Sequence, residues 1–599
     1  MRFIKGRGRW LVAAGAAGLL VAQLLSWAPV ASGINEKPGE PVDLRGFATG
    51  QPAHVDALNA GETRVVDAEV AWSAASVDAD ADGLSGVKQN EFTRTIHPDL
   101  GDKMSHARGS GLELGLGTTP VDENQLQLTA LAQADAPPPS SDLQEIALEG
   151  LDPLAYASLL RGVAVANSEA GGLVPDVCVL GDDISRGQAF AADVELVDIG
   201  GDADQPNLDA PLVALDDNDV ENDPESVSQS TSRTKLVPAG GNQFGLMSEV
   251  RQTIAPIQLA QVPTEEGPAA LEIKVLGEWV LRAVATGSPG GASIFYGPGD
   301  VDLQTNVLEI IGLGDSPILL TLQDLLGDEG LNIPLAPLLD IQLGEDPRAI
   351  AAPGADPDQA SSPSIAGNGR SASAAVDVLR IIIASGDVAD IRVGHMEVSV
   401  EVPDGGVTCP IPVTKTASPD NIFVAPNDPD TSHIELTVHN VFDCDLNNVV
   451  LTDRIKTIEG SPNFRLLNDD PETASPNIPE DDTGLLVEDG AEDVVWNLGT
   501  IPKGTTKKVS FDLRTVDEGG VLEDIATAEG TFANCVGEDA SGLAINGLDL
   551  TGLSIPVDVR IELPRTGADA VRTVAMGGGL ALAASSLGLF LRRRSRRAA

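Results

Sequence analysis

The stretch LEIKVLGEWVLRAVATGSPGGASIFYG, residues 271–297, decides the fold class of this 599-residue chain. Apolar Leu271, Ile273 and Val275 alternate with charged residues, which is the period of a half-buried strand. The turn sequence GSPGG at 287–291 then separates two runs rich in β-branched and aromatic residues, a pattern typical of a β-hairpin. The stretch therefore predicts antiparallel strands joined by tight turns.

The sequence on both sides of this hairpin, across residues 33–408, is also dominated by strand-like runs. IRVGHMEVSVEV at 391–402 alternates again and predicts another strand. DPLAYASLLRGVAVA at 152–166 and TLQDLLG at 321–327 predict short helices. We therefore expect a mainly β chain in which 33–408 form a large β-rich N-terminal domain with a few helices.

From residue 411 onward the strand-like runs are shorter, and they predict a second β domain at 411–540. These runs recur at regular spacing with Pro and Gly turns between them, as in an immunoglobulin-like sandwich. Trp496 is expected to pack between the two sheets of this sandwich. Residues 541–562 are expected to form a wall-proximal linker.

Composition and charge restrict the classes of function. The chain has 38 Lys and Arg against 90 Asp and Glu, which gives a formal net charge of −52. Nucleic-acid affinity depends on basic side chains that displace counterions, so this balance argues against a nucleic-acid partner. Aromatic residues make up only 3% of the chain, too few for a carbohydrate cleft lined with Trp and Tyr.

The two ends of the chain indicate export. Residues 1–9 are basic, 10–25 are largely apolar and small residues follow, which is typical of a secretory signal peptide at 1–32. Near the other end, residues 573–591 carry no charge and match the length of a transmembrane helix, and the Arg-rich tail 592–599 follows. An uncleaved anchor at the front and a plain membrane anchor at the back are the simpler alternatives.

A pentapeptide, LPRTG, stands shortly before this apolar segment. In this order the pentapeptide, the apolar segment and the basic tail of residues 563–599 resemble the sortase cell-wall sorting signal of Gram-positive surface proteins. The resemblance implies that a sortase cysteine attacks the Thr566 carbonyl of a membrane-bound precursor, and that the secreted chain is then joined to peptidoglycan in the cell wall. The implied recognition residues are Leu563, Pro564, Arg565, Thr566 and Gly567.

Both domains carry a family resemblance. LGEWVLRAVATG at 276–287 and VGHMEV at 393–398 resemble the actinobacterial choice-of-anchor surface proteins of the G type. Within 411–540, the order of K-T, L-x-N-V, W-x-L-G-x-I and A-T-A-x-G resembles one copy of the DUF11 repeat of bacterial surface proteins. The resemblances imply an extracellular protein with a stalk or spacer module, and no enzymatic activity comes with them.

The four cysteines are Cys178, Cys409, Cys444 and Cys535. An even set in an exported chain favours disulfides over metal binding or thiol catalysis. Four cysteines allow three connectivities, and pairing inside each domain would give Cys178–Cys409 and Cys444–Cys535.

A lysine and two aspartates of the second domain are candidates for an isopeptide bond. Some modules of Gram-positive stalks join a Lys on the first strand to an Asn or Asp on the last, with help from a buried acid. Lys415, Asp524 and Asp453 occupy the corresponding positions, and burial would lower the pKa of the amine and raise that of the acid. An exposed lysine and a turn aspartate are the simpler interpretation, which the sequence alone favours.

Asp78, Asp80 and Asp82, followed by Gly83, match the start of a Ca²⁺-binding loop, in which alternate oxygens converge on the ion. The twelfth position is Gln89 rather than the bidentate glutamate of such loops, so an acidic surface turn is the simpler interpretation. No other metal or cofactor is expected.

The sequence contains no GxSxG, HExxH or phosphate-binding loop. We therefore expect a non-catalytic surface protein with an adhesive or envelope-structural role, whose extracellular ligand the residues do not identify. The alternative is a wall-associated hydrolase that uses Asp and Glu residues of 33–408 in the manner of a glycosidase.

Overall fold

The structure is a computed structural model. It describes residues 32–34, 44–57, 66–79, 103–116, 130–151, 155–168, 176–198, 211–215, 227–240, 243–259, 271–298, 304–311, 317–321, 331–336, 339–343, 364–383, 388–418, 424–425, 428–429, 431–460, 463–468, 475–479, 484–487, 491–516, 520–533, 550–554 and 556–563. All regular elements in these ranges are strands, and paired strands run antiparallel. The prediction of a mainly β chain is confirmed.

The strands up to residue 408 are β1 (Ser32–Ile34), β2 (Arg45–Ala57), β3 (Val66–Asp78), β4 (Ser105–Leu116), β5 (Leu131–Ala136), β6 (Ser140–Leu151), β7 (Ala155–Ala166), β8 (Ser185–Ala192), β9 (Val194–Asp198), β10 (Pro211–Leu215), β11 (Val227–Gly240), β12 (Gln243–Thr253), β13 (Ile257–Leu259), β14 (Leu271–Val275), β15 (Trp279–Ala285), β16 (Ala292–Pro298), β17 (Asn306–Ile311), β18 (Ile318–Thr321), β19 (Leu331–Ala336), β20 (Leu339–Leu343), β21 (Ser364–Ile365), β22 (Ser371–Val376), β23 (Leu379–Ile383), β24 (Ala389–Glu401) and β25 (Val407–Thr408).

The strands after residue 408 are β26 (Val413–Ser418), β27 (Val424–Ala425), β28 (Asp428–Pro429), β29 (Thr431–His439), β30 (Asp445–Gly460), β31 (Phe464–Leu467), β32 (Leu485–Val487), β33 (Ala491–Ile501), β34 (Thr506–Thr515), β35 (Gly520–Ala533), β36 (Leu550–Leu553) and β37 (Val557–Leu563).

Strands β2–β25 form the N-terminal unit, which consists of two large sheets. One has the order β16-β15-β12-β11-β8-β7-β9-β10-β13-β14-β17-β18, with β6 beside β7 and β25 beside β12. The other has the order β19-β20-β23-β24-β2-β3-β4-β5, with β22 beside β24 and β21 beside β22. The predicted hairpin is confirmed as the β15–β16 pair, and the strand predicted at 391–402 is confirmed as β24.

Small side chains hold these two sheets unusually close together. Ser73 on β3 lies 2.7 Å and 2.8 Å, oxygen to oxygen, from Ser230 and Ser232 on β11. A Cβ atom at Gly109 on β4 would lie 1.9 Å from a carbonyl oxygen of β8, that of Gln188, so this position requires glycine. The Ala, Ser and Gly content of these strands is therefore what lets the sheets approach backbone to backbone.

The predicted helix at 152–166 is wrong. Residues 155–166 form strand β7, whose side chains alternate between buried and less buried positions. The strand pairs with β6 on one side and β8 on the other, and this tertiary pairing overrides the helix propensity of its Ala and Leu residues. Of the second predicted helix, at 321–327, Thr321 ends strand β18 and the other residues lie outside the described ranges.

The C-terminal unit consists of two smaller sheets that pack on each other. The first has the order β1-β26-β29-β34-β31-β32, and the second has the order β33-β30-β35-β36, with β37 also paired to β35. Trp496 on β33 is buried, and its ring centroid lies 5.9 Å from that of Phe511 on β34, so it packs between the sheets as predicted. Strands β36 and β37 belong to this sheet and fall within the segment 541–562 that was predicted as a linker.

A disulfide closes the N-terminal unit at its end, and the two units meet beside it at an apolar contact. The predicted disulfide Cys178–Cys409 is confirmed, with the two Cα atoms 5.7 Å apart. Beside it, the rings of Phe244 on β12 and Phe532 on β35 meet edge to face at 6.0 Å. Cys444 is buried and disulfide-bonded as well, whereas Cys535 lies outside the described residues.

In the described parts of the chain, no helix has the length and apolarity needed to cross a membrane. The transmembrane helix predicted at 573–591 lies outside those parts, as do residues 1–31 of the signal peptide predicted at 1–32, whose last residue, Ser32, begins strand β1.

Candidate functional site

The core of the C-terminal unit contains one lysine and two aspartates. Lys415 lies on β26 of the first sheet, and Asp453 and Asp524 lie on β30 and β35 of the second. All three side chains are completely buried, with exposed fractions of 0%. The interpretation of Lys415 as an exposed lysine and Asp524 as a turn residue is therefore wrong.

The alternation of each strand explains why these charged side chains point inward. On β26, Val413, Lys415 and Ala417 share the buried face, and exposed or half-buried residues lie between them. On β30 and β35, the aspartates take the same inward parity as the apolar residues two positions away, such as Leu451 and Leu522. In each strand a charged residue thus occupies a position where the period of the strand requires an apolar one.

The lysine bridges the two carboxyl groups. Lys415 Nζ donates a hydrogen bond of 2.5 Å to Asp453 Oδ1, and it also contacts Asp524 Oδ1. Asp453 and Asp524 lie on paired strands in diagonal register, because Asp453 is opposite Ala526. The three groups therefore form one contiguous cluster that connects the two sheets.

The cross-strand neighbours of the cluster are apolar. Leu436 lies opposite Lys415, Val494 lies opposite Asp453, and Asp524 is flanked by Ile455 and Val559. These four neighbours are all buried. In such surroundings each charge is poorly solvated, and the desolvation penalty of an ion pair can exceed its Coulombic gain.

Protonation of the cluster follows from its surroundings. Burial raises the pKa of Asp524 well above its ordinary value, and the neighbouring charge of Asp453 raises it further, while Lys415 opposes the shift. The surroundings of Asp524 therefore favour its protonated, neutral form.

The other predicted site residues are described only in part. Asp78 is buried at the end of β3, while Asp80 and Asp82 of the candidate Ca²⁺ loop lie outside the described residues. In the sorting signal, Leu563 is the last residue of β37, and residues 564–599 lie outside the described ranges.

Two buried polar clusters on the second sheet of the N-terminal unit were not predicted. His54, Asp67 and Glu69 place potential ligand atoms within 4.8 Å of one another, and His54 Nε2 is 2.7 Å from Asp67 Oδ1. The second cluster joins His395 to Asp377 and Glu397, at 2.6 Å and 3.1 Å. In both cases the sequence has a histidine two residues before an acid, His54 before Asp56 and His395 before Glu397, so the two side chains share one face of a strand. The sequence does not show which strands are neighbours, so the remaining members of each cluster could not be predicted.

A third cluster surrounds Glu249 on β12, which is fully buried. Arg233 and Arg282 from the neighbouring strands β11 and β15 and Arg251 from β12 itself all contact its carboxylate, at distances of 2.5–2.7 Å. The pKa of Glu249 is lowered, because burial would raise it but the three guanidinium groups outweigh that effect. This acid is therefore held in its ionised form.

The chain matches no protein-family model and no curated protein. The resemblances to the choice-of-anchor proteins and to the DUF11 repeat accordingly stay predictions.

Proposed function

We propose that this chain is a non-catalytic surface protein that a sortase joins to peptidoglycan. The observation that carries the proposal is the junction at Leu563, where strand β37 ends and the pentapeptide LPRTG begins. The pentapeptide therefore starts directly where the sheet of the C-terminal unit stops. A site of this kind suits a sortase substrate, because cleavage after Thr566 would leave both sheets of the C-terminal unit in the exported chain.

In this proposal the C-terminal unit is an immunoglobulin-like spacer, and the N-terminal unit is the part presented outward. Two features support it: the disulfide Cys178–Cys409 closes the N-terminal unit, as expected in an oxidising extracellular environment, and the ring contact of Phe244 with Phe532 holds the two units together. The net charge of −52 would favour solubility near an anionic wall. The ligand of the N-terminal unit is an extracellular one that the present observations do not name.

The test is cell fractionation with substitutions that leave the sheet intact. We expect the wild-type chain to be released from cells by peptidoglycan hydrolysis and not by detergent. Thr566→Ala should leave the chain extractable with detergent, because the acyl group that a sortase transfers belongs to Thr566. Arg565→Lys is the matched control, since it alters the variable position of the motif and should keep the chain in the wall.

A wild-type chain that detergent extracts intact, with its C-terminus still at Ala599, would contradict the proposal. The hydrolase alternative would gain support if the purified N-terminal unit cleaved wall glycans and substitution of its buried acids abolished that cleavage.

A further inference from the structure

We propose that Lys415 and Asp524 form an intramolecular isopeptide bond, and that Asp453 transfers the protons for the reaction. The proposal goes beyond wall anchoring and does not depend on it. It rests on the contact of all three groups inside a fully buried, apolar core. A lysine amine and a carboxyl group in contact and shielded from water are the two reactants of an amide bond.

The reaction balances within the cluster. The Lys415 ammonium first gives a proton to the Asp453 carboxylate, and the free amine attacks Cγ of the neutral Asp524 carboxyl. Asp453 then takes a second proton from the nitrogen and passes its own to the departing oxygen. The C–N bond forms, the C–O bond breaks and one water molecule leaves, while Asp453 ends as a neutral acid.

Asp524 is the acyl partner because it is the acid that stays protonated. A neutral carboxyl has a better leaving group than a carboxylate, and burial with the nearby Asp453 charge keeps Asp524 neutral by raising its pKa. Asp453 also accepts a hydrogen bond of 2.5 Å from Lys415 Nζ, and through this contact it can receive the lysine proton. Fixed contact between amine and carboxyl replaces a bimolecular encounter, which corresponds to effective concentrations of about 10⁵–10⁸ M.

Burial separates this pair from an ordinary ion pair of the same unit. Lys508 Nζ lies 2.8 Å from Glu435 Oε1, but the two side chains are 60% and 42% exposed. Both of those side chains remain in contact with water, so neither is desolvated as Lys415 and Asp524 are. The reaction also removes the ion pair from the core, because an amide and a neutral acid replace two charges whose desolvation is unfavourable.

The bond would connect the two sheets of the C-terminal unit. It joins β26, the strand that follows the junction with the N-terminal unit, to β35, which pairs with β37. Because β37 ends at Leu563, a load between the N-terminal unit and the wall would pass through the bond. The residues between 415 and 524 would then carry none of that load.

Peptide mass spectrometry of the full chain, denatured and reduced, tests the proposal. Trypsin cuts after Arg392, Arg454, Arg514 and Arg560 but not after a lysine whose amine is acylated. In the joined chain, Lys415 and Asp453 therefore lie in peptide 393–454 and Asp524 lies in peptide 515–560. We expect these two peptides to be joined, with the loss of one water molecule. Lys415 should also resist acetylation in the denatured chain.

Variants identify the role of each acid. Asp524→Asn should still join the two peptides but with the loss of ammonia instead of water, since the leaving group comes from residue 524. Asp453→Asn should slow the reaction by about 10²–10⁴-fold, the usual contribution of a positioned general acid–base group. Lys415→Arg should abolish the joined species, and Lys508→Arg, the matched control, should leave it unchanged.

Cleavage after Lys415, with peptides 393–415, 416–454 and 515–560 recovered separately from a wild-type chain that shows a cooperative thermal unfolding transition, would overturn the proposal, as the cluster would then be an unreacted ion pair. A ring closed inside peptide 393–454 would also overturn it, because the acyl partner would be Asp453. Loss of ammonia from Asp453→Asn would point to the same conclusion.

Discussion

The N-terminal and C-terminal units bury charge in two different ways. Glu249 in the N-terminal unit is fully buried, but the guanidinium groups around it are 9–21% exposed and reach water. In the C-terminal unit, Lys415 and its two aspartates are all completely buried. A buried acid that contacts partly solvated arginines is stable as an ion, whereas a wholly enclosed lysine and acid favour a reaction that removes their charge. Access to water therefore decides between the two outcomes.

The largest expected effect is mechanical and concerns the C-terminal unit. If the isopeptide bond forms, the 108 residues between Lys415 and Asp524 cannot extend when the chain is pulled from its two ends. Under reducing conditions, which open the disulfide of Cys444, Lys415→Arg, which cannot form the bond, should release up to about 390 Å of additional contour length. Single-molecule force spectroscopy measures this length, and equal extensions for the wild-type chain and the variant would remove the distinction between the two units.

The second prediction concerns the Cys178–Cys409 disulfide of the N-terminal unit. The Cys178–Cys409 disulfide has a sequence separation of 231 residues, and a loop of that length corresponds to about 5 kcal/mol in the chain-entropy treatment. We expect the double substitution Cys178→Ser and Cys409→Ser to lower the free energy of unfolding of the N-terminal unit by up to that amount. Denaturant titration measures it, and reducing agent should have little further effect on this unit in the double variant.

The third prediction tests the buried ion cluster around Glu249 in the N-terminal unit. Glu249→Gln leaves three arginines close together without their shared carboxylate, and we expect a loss of about 3 kcal/mol in unfolding free energy. Glu278→Gln is the matched control, because Glu278 is a half-exposed partner of the same Arg251, at 2.9 Å. That substitution should cost less than about 1 kcal/mol. Equal losses for the two variants would show that burial does not set the strength of these ion pairs.

The ion cluster also has a defined pH dependence. The folded-state pKa of Glu249 lies below its unfolded value, so its contribution is present above the unfolded pKa, about 4.3, and is lost as the pH falls through the folded value. As the pH falls, the thermal stability of the wild-type chain should therefore decrease more steeply than that of Glu249→Gln. The same dependence of thermal stability on pH in the two proteins would contradict the assignment of this effect to Glu249.

The smallest effect is expected at His395. Burial lowers the pKa of this histidine, but Asp377 and Glu397 outweigh that effect and raise the pKa from 6.5 to about 9. The protonated ring donates to both carboxylates, so its contribution is complete below pH 6.5 and is lost as the pH rises toward 9. Between pH 6.5 and 8 the N-terminal unit should lose about 1.5 kcal/mol. His395→Gln should remove this slope, and a slope that persists would assign it to another group.

Much of the strand structure could be predicted, because alternation with period 2 is a local signal. The β15–β16 hairpin, strand β24 and the packing of Trp496 followed from it. Strand β7 was predicted as a helix because DPLAYASLLRGVAVA is rich in helix formers, and only its pairing with β6 and β8 decides otherwise. VDVRIEL in β37 also alternates clearly, although most of it lies in the segment 541–562 predicted as a linker.

The candidate site was only partly predictable for a similar reason. The sequence identified Lys415, Asp453 and Asp524 as a set, and the parity of V-x-K-x-A, L-x-D-x-I and L-x-D-x-A places each on an inward face. What the sequence lacks is the register between sheets, which brings residues 415 and 524 into contact although 108 residues separate them. The same limitation hid the clusters around Glu249 and His395, whose members come from distant strands.

The most direct measurement is the electron density between Lys415 Nζ and Asp524 Cγ in a high-resolution crystal structure of the full exported chain. Our account predicts continuous density for a planar amide with a C–N bond of about 1.33 Å and a single oxygen left on Asp524. Separate density for a lysine amine and for both carboxyl oxygens of Asp524, at non-bonded distance, would contradict it.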